Sequence, residues 1–352
     1  MREDTGMLKG CPYGSHRVKE PVGALPQTAA RLDNDMSRAY DNEIRVSVET
    51  LNVDSASFTQ INEQAGGDEK RIGEIIMETV RRFGKQQNPV TGSGGVLTGR
   101  VESIGPAIAD KVELKPGDEI VSLVSLSLTP LYIEEVLGVR PKVDQVDVRG
   151  TAILFERTGY AKIPTDLSKG VTLAVLDVAG AAPQAHKLVK PGDIVCIIGA
   201  AGKSGMLCSY QARKDAGPSG LVVGLTSSAA NVKRMEELGF CHRFAQADCS
   251  KPLETERIVR QLTDGRMADV TINCANVPGT EMASIMATKD DGIVYFFGMA
   301  TSFTRAALGA EGICHDATMI IGNGYTKGHA DFSLNLMRES QTLRSVFEAL
   351  YG

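Results

Sequence analysis

Residues 195–205 read VCIIGAAGKSG, and this stretch decides the fold of the second half of the chain. A buried strand is predicted over residues 193–198 and a helix over residues 203–214, so the glycines fall on the turn between them. In such a turn one glycine permits the bend, the next lets a pyrophosphate approach the backbone, and the last lets helix and strand pack closely. The start of the helix adds amide donors and a positive dipole end. We therefore expect a dinucleotide to bind at Gly199, Ala200, Ala201, Gly202, Lys203, Ser204 and Gly205.

The context of the turn supports this interpretation, although such glycines taken alone are often only turn formers. Apolar strands are predicted at residues 221–226, 270–273 and 293–297, and helices at residues 228–238 and 280–287. Continuous apolar strands that alternate with helices indicate a parallel sheet covered on both faces. Residues 171–312 are therefore predicted to form a Rossmann domain, a doubly wound parallel sheet of the α/β class.

The end of the second of these strands indicates which dinucleotide binds. An NAD site usually places a carboxylate there to bind the ribose hydroxyls. Here the strand ends in Thr226, followed by Ser227 and Ser228, so no carboxylate repels a 2′-phosphate. Lys233 and Arg234 on the next helix would attract that phosphate, which favours NADP over NAD. The alternative is that both cations simply face solvent.

The first half of the chain has a different pattern. Residues 44–51 alternate apolar and polar side chains as a half-buried strand does, and residues 68–83 carry apolar side chains at helical spacing. Short strands separated by turn residues recur to about residue 163, so residues 44–170 are predicted to form a small β-rich domain. Residues 1–43 are polar and interrupted by glycine and proline, which predicts an extended arm rather than a packed element.

Composition excludes several classes of partner. Lysine plus arginine total 38 against 43 for aspartate plus glutamate, and no basic block occurs, so neither nucleic acid nor an anionic membrane is expected to bind. The seven cysteines are odd in number and form no CxxC pair, and the N-terminal residues contain no apolar signal stretch. We expect free thiols in a cytoplasmic protein that acts on a small molecule.

Four stretches resemble the medium-chain dehydrogenase/reductase superfamily: GRVESIG (99–105), LKPGDEIVSL (114–123), TGYAKIPTDLS (158–168) and VKPGDIVCIIGAAGKSG (189–205). The resemblance implies a GroES-like β-rich catalytic domain over residues 44–170 joined to the Rossmann domain, with the active site in the cleft between them. It also implies that residues 313–352 return to the catalytic domain and that the protein is a homodimer or homotetramer.

The positions of the zinc ligands in that superfamily carry other residues here. Asn52 stands where the first cysteine ligand occurs, and Ala174 stands near the third ligand. The pair Gly95-Val96 replaces His-Glu. A zinc site needs three or four thiolate, imidazole or carboxylate ligands. The chain therefore resembles the zinc-free branch, and no metal is predicted.

Within this branch the N-terminal arm is distinctive. Residues 13–27 (YGSHRVKEPVGALPQ), 52–58 (NVDSASF) and 92–100 (GSGGVLTGR) resemble the L-erythro-3,5-diaminohexanoate dehydrogenases. This resemblance implies NAD(P)-dependent oxidative deamination of a diamino acid in lysine fermentation, in which the C3 amine becomes a ketone and ammonia is released. Two alternatives stay open: a zinc-free quinone or enoyl reductase, and a protein that binds NADP without catalysis.

Such a reaction needs side chains that deprotonate an amine and activate water. The candidate bases are Asp54, just past the first predicted strand, and Asp177, which the resemblance puts near the nicotinamide. Burial there would raise the pKa of Asp177. His16 is the candidate proton shuttle because imidazole titrates near neutral pH. The alternatives are that Asp54 caps the following turn and that Asp177 is an ordinary loop aspartate.

The substrate carries one carboxylate and two amines, and the arm offers counter-charges for them. Arg17 is expected to clamp the carboxylate and Glu20 to meet the distal ammonium. Tyr13, Asn52 and Ser57 are expected to add hydrogen bonds. The alternative is that the arm merely packs on its own or a neighbouring subunit.

The resemblance also implies contacts between the nicotinamide half of the coenzyme and the ends of two later strands. They are Asn273, Cys274, Ala275, Phe297, Gly298 and Met299. We expect backbone contacts there and no reactive thiol.

Overall fold

The computed structural model of the chain describes residues 7–89, 92–322 and 324–352. Contacts between residues divide the chain into two compact units, Met1–Leu173 and Ala174–Gly352, which we call the first and the second unit. In the described part of the chain, no helix has the length and the apolar character needed to span a membrane.

The first unit is built on antiparallel strands. They are β1 (Val18–Glu20), β2 (Arg31–Leu32), β3 (Glu43–Asn52), β4 (Val96–Ile104), β5 (Glu119–Ser122), β6 (Leu131–Arg140), β7 (Gln145–Phe155) and β8 (Tyr160–Lys162). β1 pairs with β2, and the others form one sheet in the order β6-β7-β3-β4-β5-β8. Each neighbouring pair in this sheet is antiparallel. The predicted β-rich domain is thereby confirmed.

Two helices, α1 (Ser55–Ala65) and α2 (Glu69–Phe83), connect β3 to β4. The spacing of apolar residues predicts α2, whose N-terminus is capped by the Asp68 carboxylate and whose last turn is followed by Gly84 at φ +71°. The sequence analysis did not identify α1, because its inward face carries few apolar side chains among many polar ones. Each of the two helices buries its inward face against the sheet. The core there includes Ile44, Val46, Phe58, Ile61, Ile72, Ile76 and Val80. Each such side chain stabilises the fold by about 1.5–3 kcal/mol when fully buried.

The N-terminal arm is packed, which corrects the prediction of an extended, unpacked segment. Val18, Ala29 and Leu32 form a small apolar cluster, and the Arg17 side chain is 0% exposed. The Arg17 guanidinium donates from Nε and Nη2 to both carboxylate oxygens of Glu43, at 2.7 and 2.8 Å. It also donates to two backbone carbonyls of the arm. A buried charge needs such partners, and Glu43 supplies them from the first residue of β3.

A buried lysine adds a second attachment of the arm. Lys85 is 2% exposed, and its Nζ donates to the carbonyl of Ala29 at 2.6 Å. Burial lowers the pKa of Lys85 to about 8. Neither attachment was predictable from the sequence, because the partners are 26 and 56 residues apart along the chain.

The second unit is built on a parallel sheet with helices between its strands. The strands are β9 (Ile194–Ile198), β10 (Leu221–Thr226), β11 (Arg243–Gln246), β12 (Ala268–Asn273), β13 (Thr288–Phe296) and β14 (Ala317–Ile321). The helices are α3 (Lys169–Leu176), which crosses the division between the units, α4 (Ala181–Leu188), α5 (Lys203–Ala216), α6 (Ala229–Leu238), α7 (Pro252–Leu262), α8 (Glu281–Ala287), α9 (Phe303–Gly312), α10 (His329–Glu339) and α11 (Gln341–Tyr351). The order β11-β10-β9-β12-β13-β14 is that of a doubly wound sheet. The predicted α/β fold class is confirmed.

The tail differs from its prediction. The sequence analysis expected residues 313–352 to return to the first domain, whereas the contacts assign them to the second unit. The reason is β14, which pairs in parallel with β13 and continues the sheet by one strand.

Replacing Arg17 by methionine is expected to lower the free energy of unfolding by about 3 kcal/mol or more, because Glu43 is left as an uncompensated buried charge. Urea denaturation followed by circular dichroism measures this change. Arg31→Met is the control, since the Arg31–Glu20 pair is exposed at 3.3 Å and contributes at most about 1 kcal/mol. Equal effects of the two substitutions would contradict the structural role of Arg17.

Candidate functional site

The glycine-rich turn between β9 and α5 has the geometry that its sequence predicts. Gly199 has φ +80°, and its N–H and that of Ala200 both donate to the carbonyl of Leu225. A Cβ on Gly205 would lie 2.1 Å from the carbonyl oxygen of Gly199, so any side chain there would clash with the backbone. The close approach of helix and strand therefore requires glycine at this position.

The start of α5 is open to an anion. Gly202 is its N-cap and is exposed, and no side chain caps the helix. The hydrogen bond from Met206 N to the Gly202 carbonyl is the first of the helix, so the amides of Ser204 and Gly205 lie in its first turn. The turn lies at the carboxyl end of β9, where the strand order reverses between β10 and β12. This is the position where doubly wound sheets bind dinucleotides.

Asp177, one of the two candidate bases, forms an ion pair with Lys203. The Lys203 ammonium donates to the Asp177 carboxylate at 2.8 Å, and the two side chains are 12% and 10% exposed. The proposed role of Asp177 as a general base stays a prediction. The pair holds the first residue of α5 to the segment after α3, which is a positioning role.

The two cations predicted to select NADP lie in different environments. Lys233 is exposed and lies 3.8 Å from Glu237 one turn along α6, as the solvent-facing alternative expects. Arg234 is half-buried and donates to the carbonyl of Ala201 in the glycine turn at 3.3 Å. Arg234 is therefore the cation held beside the dinucleotide site.

The residues between β10 and α6 are Thr226, Ser227 and Ser228. Thr226 is buried, and the Ser228 hydroxyl accepts from the N–H of Asn231 and caps α6. Ser227 is exposed, and its carbonyl accepts from Gln246. Of these three side chains, Ser227 is the one open to a ligand.

The ends of β12 and β13 are tied together through Asn273. Its side chain is fully buried and bonds to Thr280, Ser284 and the N–H of Ala275, while its carbonyl accepts from the N–H groups of Phe297 and Gly298. These polar groups are occupied within the fold, and the coenzyme contacts expected of Asn273 and Ala275 stay a prediction.

The remaining residues at these two strand ends are more open. Cys274 is half-buried, and its Sγ lies 3.9 Å from that of Cys208. The contact with Cys274 and burial both raise the pKa of the Cys208 thiol. Phe297 and Gly298 are half-buried, and Met299 is 56% exposed.

In the first unit the polar residues after β3 form one cluster. The Asp54 carboxylate accepts from the N–H of Ser57 at 3.1 Å, from the Ser57 hydroxyl at 2.5 Å and from the Ser93 hydroxyl at 3.0 Å. It therefore caps α1, as the alternative interpretation expects. Ser93 was missed by the sequence analysis, although the glycine-rich segment that contains it had been singled out.

Asn52 lies at the end of β3 beside this cluster. It is 1% exposed, and its Oδ1 accepts from Nε2 of Gln145 at 3.2 Å. Its Nδ2 has no hydrogen-bond partner among the described residues. A buried amide donor without a partner is costly, and a bound ligand would satisfy it.

The arm residues do not form the predicted substrate site. His16 accepts the N–H of Cys11 at Nδ1, so the proton sits on Nε2 and points at Glu43, 2.8 Å away. Both ring nitrogens of His16 and the donors of Arg17 are occupied by partners within the fold. His16 is therefore not available as the proton shuttle, and Arg17 is not available to bind the substrate carboxylate.

The other two arm candidates are exposed. Glu20 pairs with Arg31, and the Tyr13 ring lies 5.5 Å from the guanidinium of Arg157. Each of these two side chains contacts an exposed partner, which does not give the fixed geometry that a substrate site requires. Metal ligands were not predicted, and the described residues contain no group of three or more His, Cys, Asp or Glu side chains suited to a metal ion.

Known proteins resemble this chain along its whole length. It is 54% identical over 344 residues to an L-erythro-3,5-diaminohexanoate dehydrogenase of Acetoanaerobium sticklandii, and 50% identical over 345 residues to one of Fusobacterium nucleatum. Both alignments cover 98% of this chain and all of the relative. Residues 16–164 match the family described as the L-erythro-3,5-diaminohexanoate dehydrogenase N-terminal domain.

Solved structures share the fold at low identity. A mycobacterial protein in complex with NADPH aligns with a TM-score of 0.55 and 17% identity over 88% of each chain. At this identity the likeness concerns the fold alone.

Two glycine substitutions test the dinucleotide site. Gly205→Ala is expected to lower both the unfolding temperature and the affinity for NADPH, since its Cβ meets the Gly199 carbonyl. In Gly202→Ala the Cβ lies 3.5 Å from that oxygen, so the unfolding temperature should stay unchanged. NADPH binding should still weaken, by about tenfold or 1.4 kcal/mol, because the Cβ stands where a phosphate approaches. Fluorescence titration measures the affinity for NADPH. A wild-type affinity in Gly205→Ala would contradict the assignment of this turn as the dinucleotide site.

Proposed function

This chain belongs to the L-erythro-3,5-diaminohexanoate dehydrogenase family, and we propose on that premise that it oxidatively deaminates L-erythro-3,5-diaminohexanoate. The products are 5-amino-3-oxohexanoate, ammonium and a reduced nicotinamide coenzyme. The observation that carries the proposal is identity of 50% or more over the full length of two named relatives. Hydride loss from C3 leaves an iminium, which water hydrolyses to the ketone.

The second unit fits a nicotinamide dinucleotide. The uncapped start of α5 and the turn at Gly202 would hold the pyrophosphate. When bound, the nicotinamide supplies the hydride acceptor. We propose that the coenzyme is NADP. Arg234, which is held against the glycine turn, and the exposed Ser227 beside it would bind the 2′-phosphate.

Asp54 is the residue that we propose to act on the reacting amine. An ionised carboxylate has about four acceptor sites. Three are used by Ser57 and Ser93, which fix the orientation of Asp54 and leave capacity to accept an ammonium proton. The unpartnered Nδ2 of Asn52 would donate a hydrogen bond to the substrate.

The activity is tested by following absorbance at 340 nm with L-erythro-3,5-diaminohexanoate and either NAD⁺ or NADP⁺. We expect reduction of the coenzyme with equimolar release of ammonium, and a higher rate with NADP⁺. A higher rate with NAD⁺ would contradict the coenzyme proposal alone. No reduction with either coenzyme, in a protein that still binds NADPH, would refute the amine dehydrogenase function and direct the search to quinones and enoyl substrates.

Asp54→Asn tests the role of the carboxylate. Asparagine also caps helices well, so stability should change little. Turnover should fall by about 10²-fold or more, the usual contribution of a general base. Asp68→Asn is the matched control, because Asp68 caps α2 in the same way. Wild-type turnover in Asp54→Asn, or an equal loss in the control, would show that Asp54 only caps α1.

A further inference from the structure

The first unit contains a polar groove that the proposed mechanism does not yet use. Its volume is about 420 Å³, and it lies between α1, α2 and the segment that follows α2. The polar side chains on its wall include Ser57, Gln60, Arg82, Gln86, Gln87 and Asn88. We call it the Gln86 groove. A small molecule fits such a volume.

Gln86 shows that the groove is built for a polar ligand. Its side chain is 1% exposed, and its Oε1 has no hydrogen-bond donor among the described residues. An acceptor that is buried without a donor costs stability, and leucine or methionine at this position would avoid that cost. A ligand that brings an N–H group into the groove would satisfy it.

Arg82 supplies a positive charge on the same wall. Its guanidinium lies 5.0 Å from the Phe83 ring and forms no ion pair within the described residues. The Glu78 carboxylate lies on the same wall and pairs with Arg71 at 3.3 Å. A planar guanidinium in this state is suited to bind a carboxylate through two parallel hydrogen bonds.

Ser57 connects the groove with the candidate catalytic carboxylate. It lies on the groove wall, and its hydroxyl donates to Asp54 at 2.5 Å. The groove thus presents a cation at Arg82, an anion at Glu78, an acceptor at Gln86 and, behind Ser57, the anion of Asp54. This distribution matches a molecule with one carboxylate and two ammonium groups.

We propose that the Gln86 groove is the subsite that recognises the diamino acid, with Arg82 binding its carboxylate and Gln86 Oε1 accepting from one of its ammonium groups. This inference rests on the proposed function. It assigns to Arg82 the role that the sequence analysis gave to Arg17, whose donors are all occupied within the fold.

The test compares Arg82→Met with Arg81→Met, its exposed neighbour on α2 that does not line the groove. Arg82→Met should raise KM for L-erythro-3,5-diaminohexanoate by about tenfold with kcat nearly unchanged, as expected for the loss of one charge-assisted interaction. Arg81→Met should leave both constants at wild-type values. An unchanged KM in Arg82→Met would overturn the proposal.

A ligand without a carboxylate separates recognition from general damage. The inhibition constant of 2,4-diaminopentane, which keeps both amines, should be the same in wild type and Arg82→Met. An equal weakening of diamine and diamino acid would show that Arg82 does not bind the carboxylate, and would also overturn the proposal.

Gln86→Met adds a readout that a purely structural role would not produce. It should raise KM while leaving the unfolding temperature unchanged or higher, because an unsatisfied buried acceptor is removed. A lower unfolding temperature with unchanged KM would contradict the role of Gln86. A wild-type enzyme that does not turn over the diamino acid refutes the proposed function, whereas an active wild type with unaffected variants refutes only the subsite.

Discussion

The contact between the backbone of Gly205 and the carbonyl of Gly199 constrains the whole second unit. Because a Cβ would stand only 2.1 Å from that oxygen, α5 can approach the end of β9 this closely only with glycine. The same turn brings the uncapped amides of α5 to the edge of the sheet at which the strand order reverses. Loss of the close contact would move the anion-binding amides away from the strand ends that surround them.

The first unit depends on a different kind of constraint, a buried charge network. Arg17 and His16 both bond to Glu43, and Lys85 holds the carbonyl of Ala29. Burial opposes ionisation of Glu43, but hydrogen bonds from Arg17 and His16 outweigh it and lower the pKa of that carboxyl. The network joins the arm to the start of β3. Polar residues in the arm therefore contribute to folding.

The sequence predicted those features that depend on neighbouring residues. Three patterns reflect the periodicity of neighbouring residues: the alternation before Leu51, the helical spacing after Asp68 and the strand–glycine–helix pattern at residues 193–214. The structure contains each of the predicted elements. Pairings between distant residues were not predictable in this way. Arg17 with Glu43 and Lys203 with Asp177 carry the residue types of a catalytic site, and only the fold shows that they neutralise each other. Arg82 and Gln86, which we propose to bind the substrate, carried no signal either, because among the described residues what distinguishes them is a missing ion pair and a missing hydrogen-bond donor.

The central claim is that a hydride leaves C3 of the diamino acid for the nicotinamide while the chain's own side chains manage the amine proton and the water. The most direct measurement uses L-erythro-3,5-diaminohexanoate deuterated at C3 and mass spectrometry of the reduced coenzyme. We expect one deuterium in each reduced coenzyme and unlabelled ammonium. Formation of the ketone with a reduced coenzyme that carries only hydrogen would contradict it.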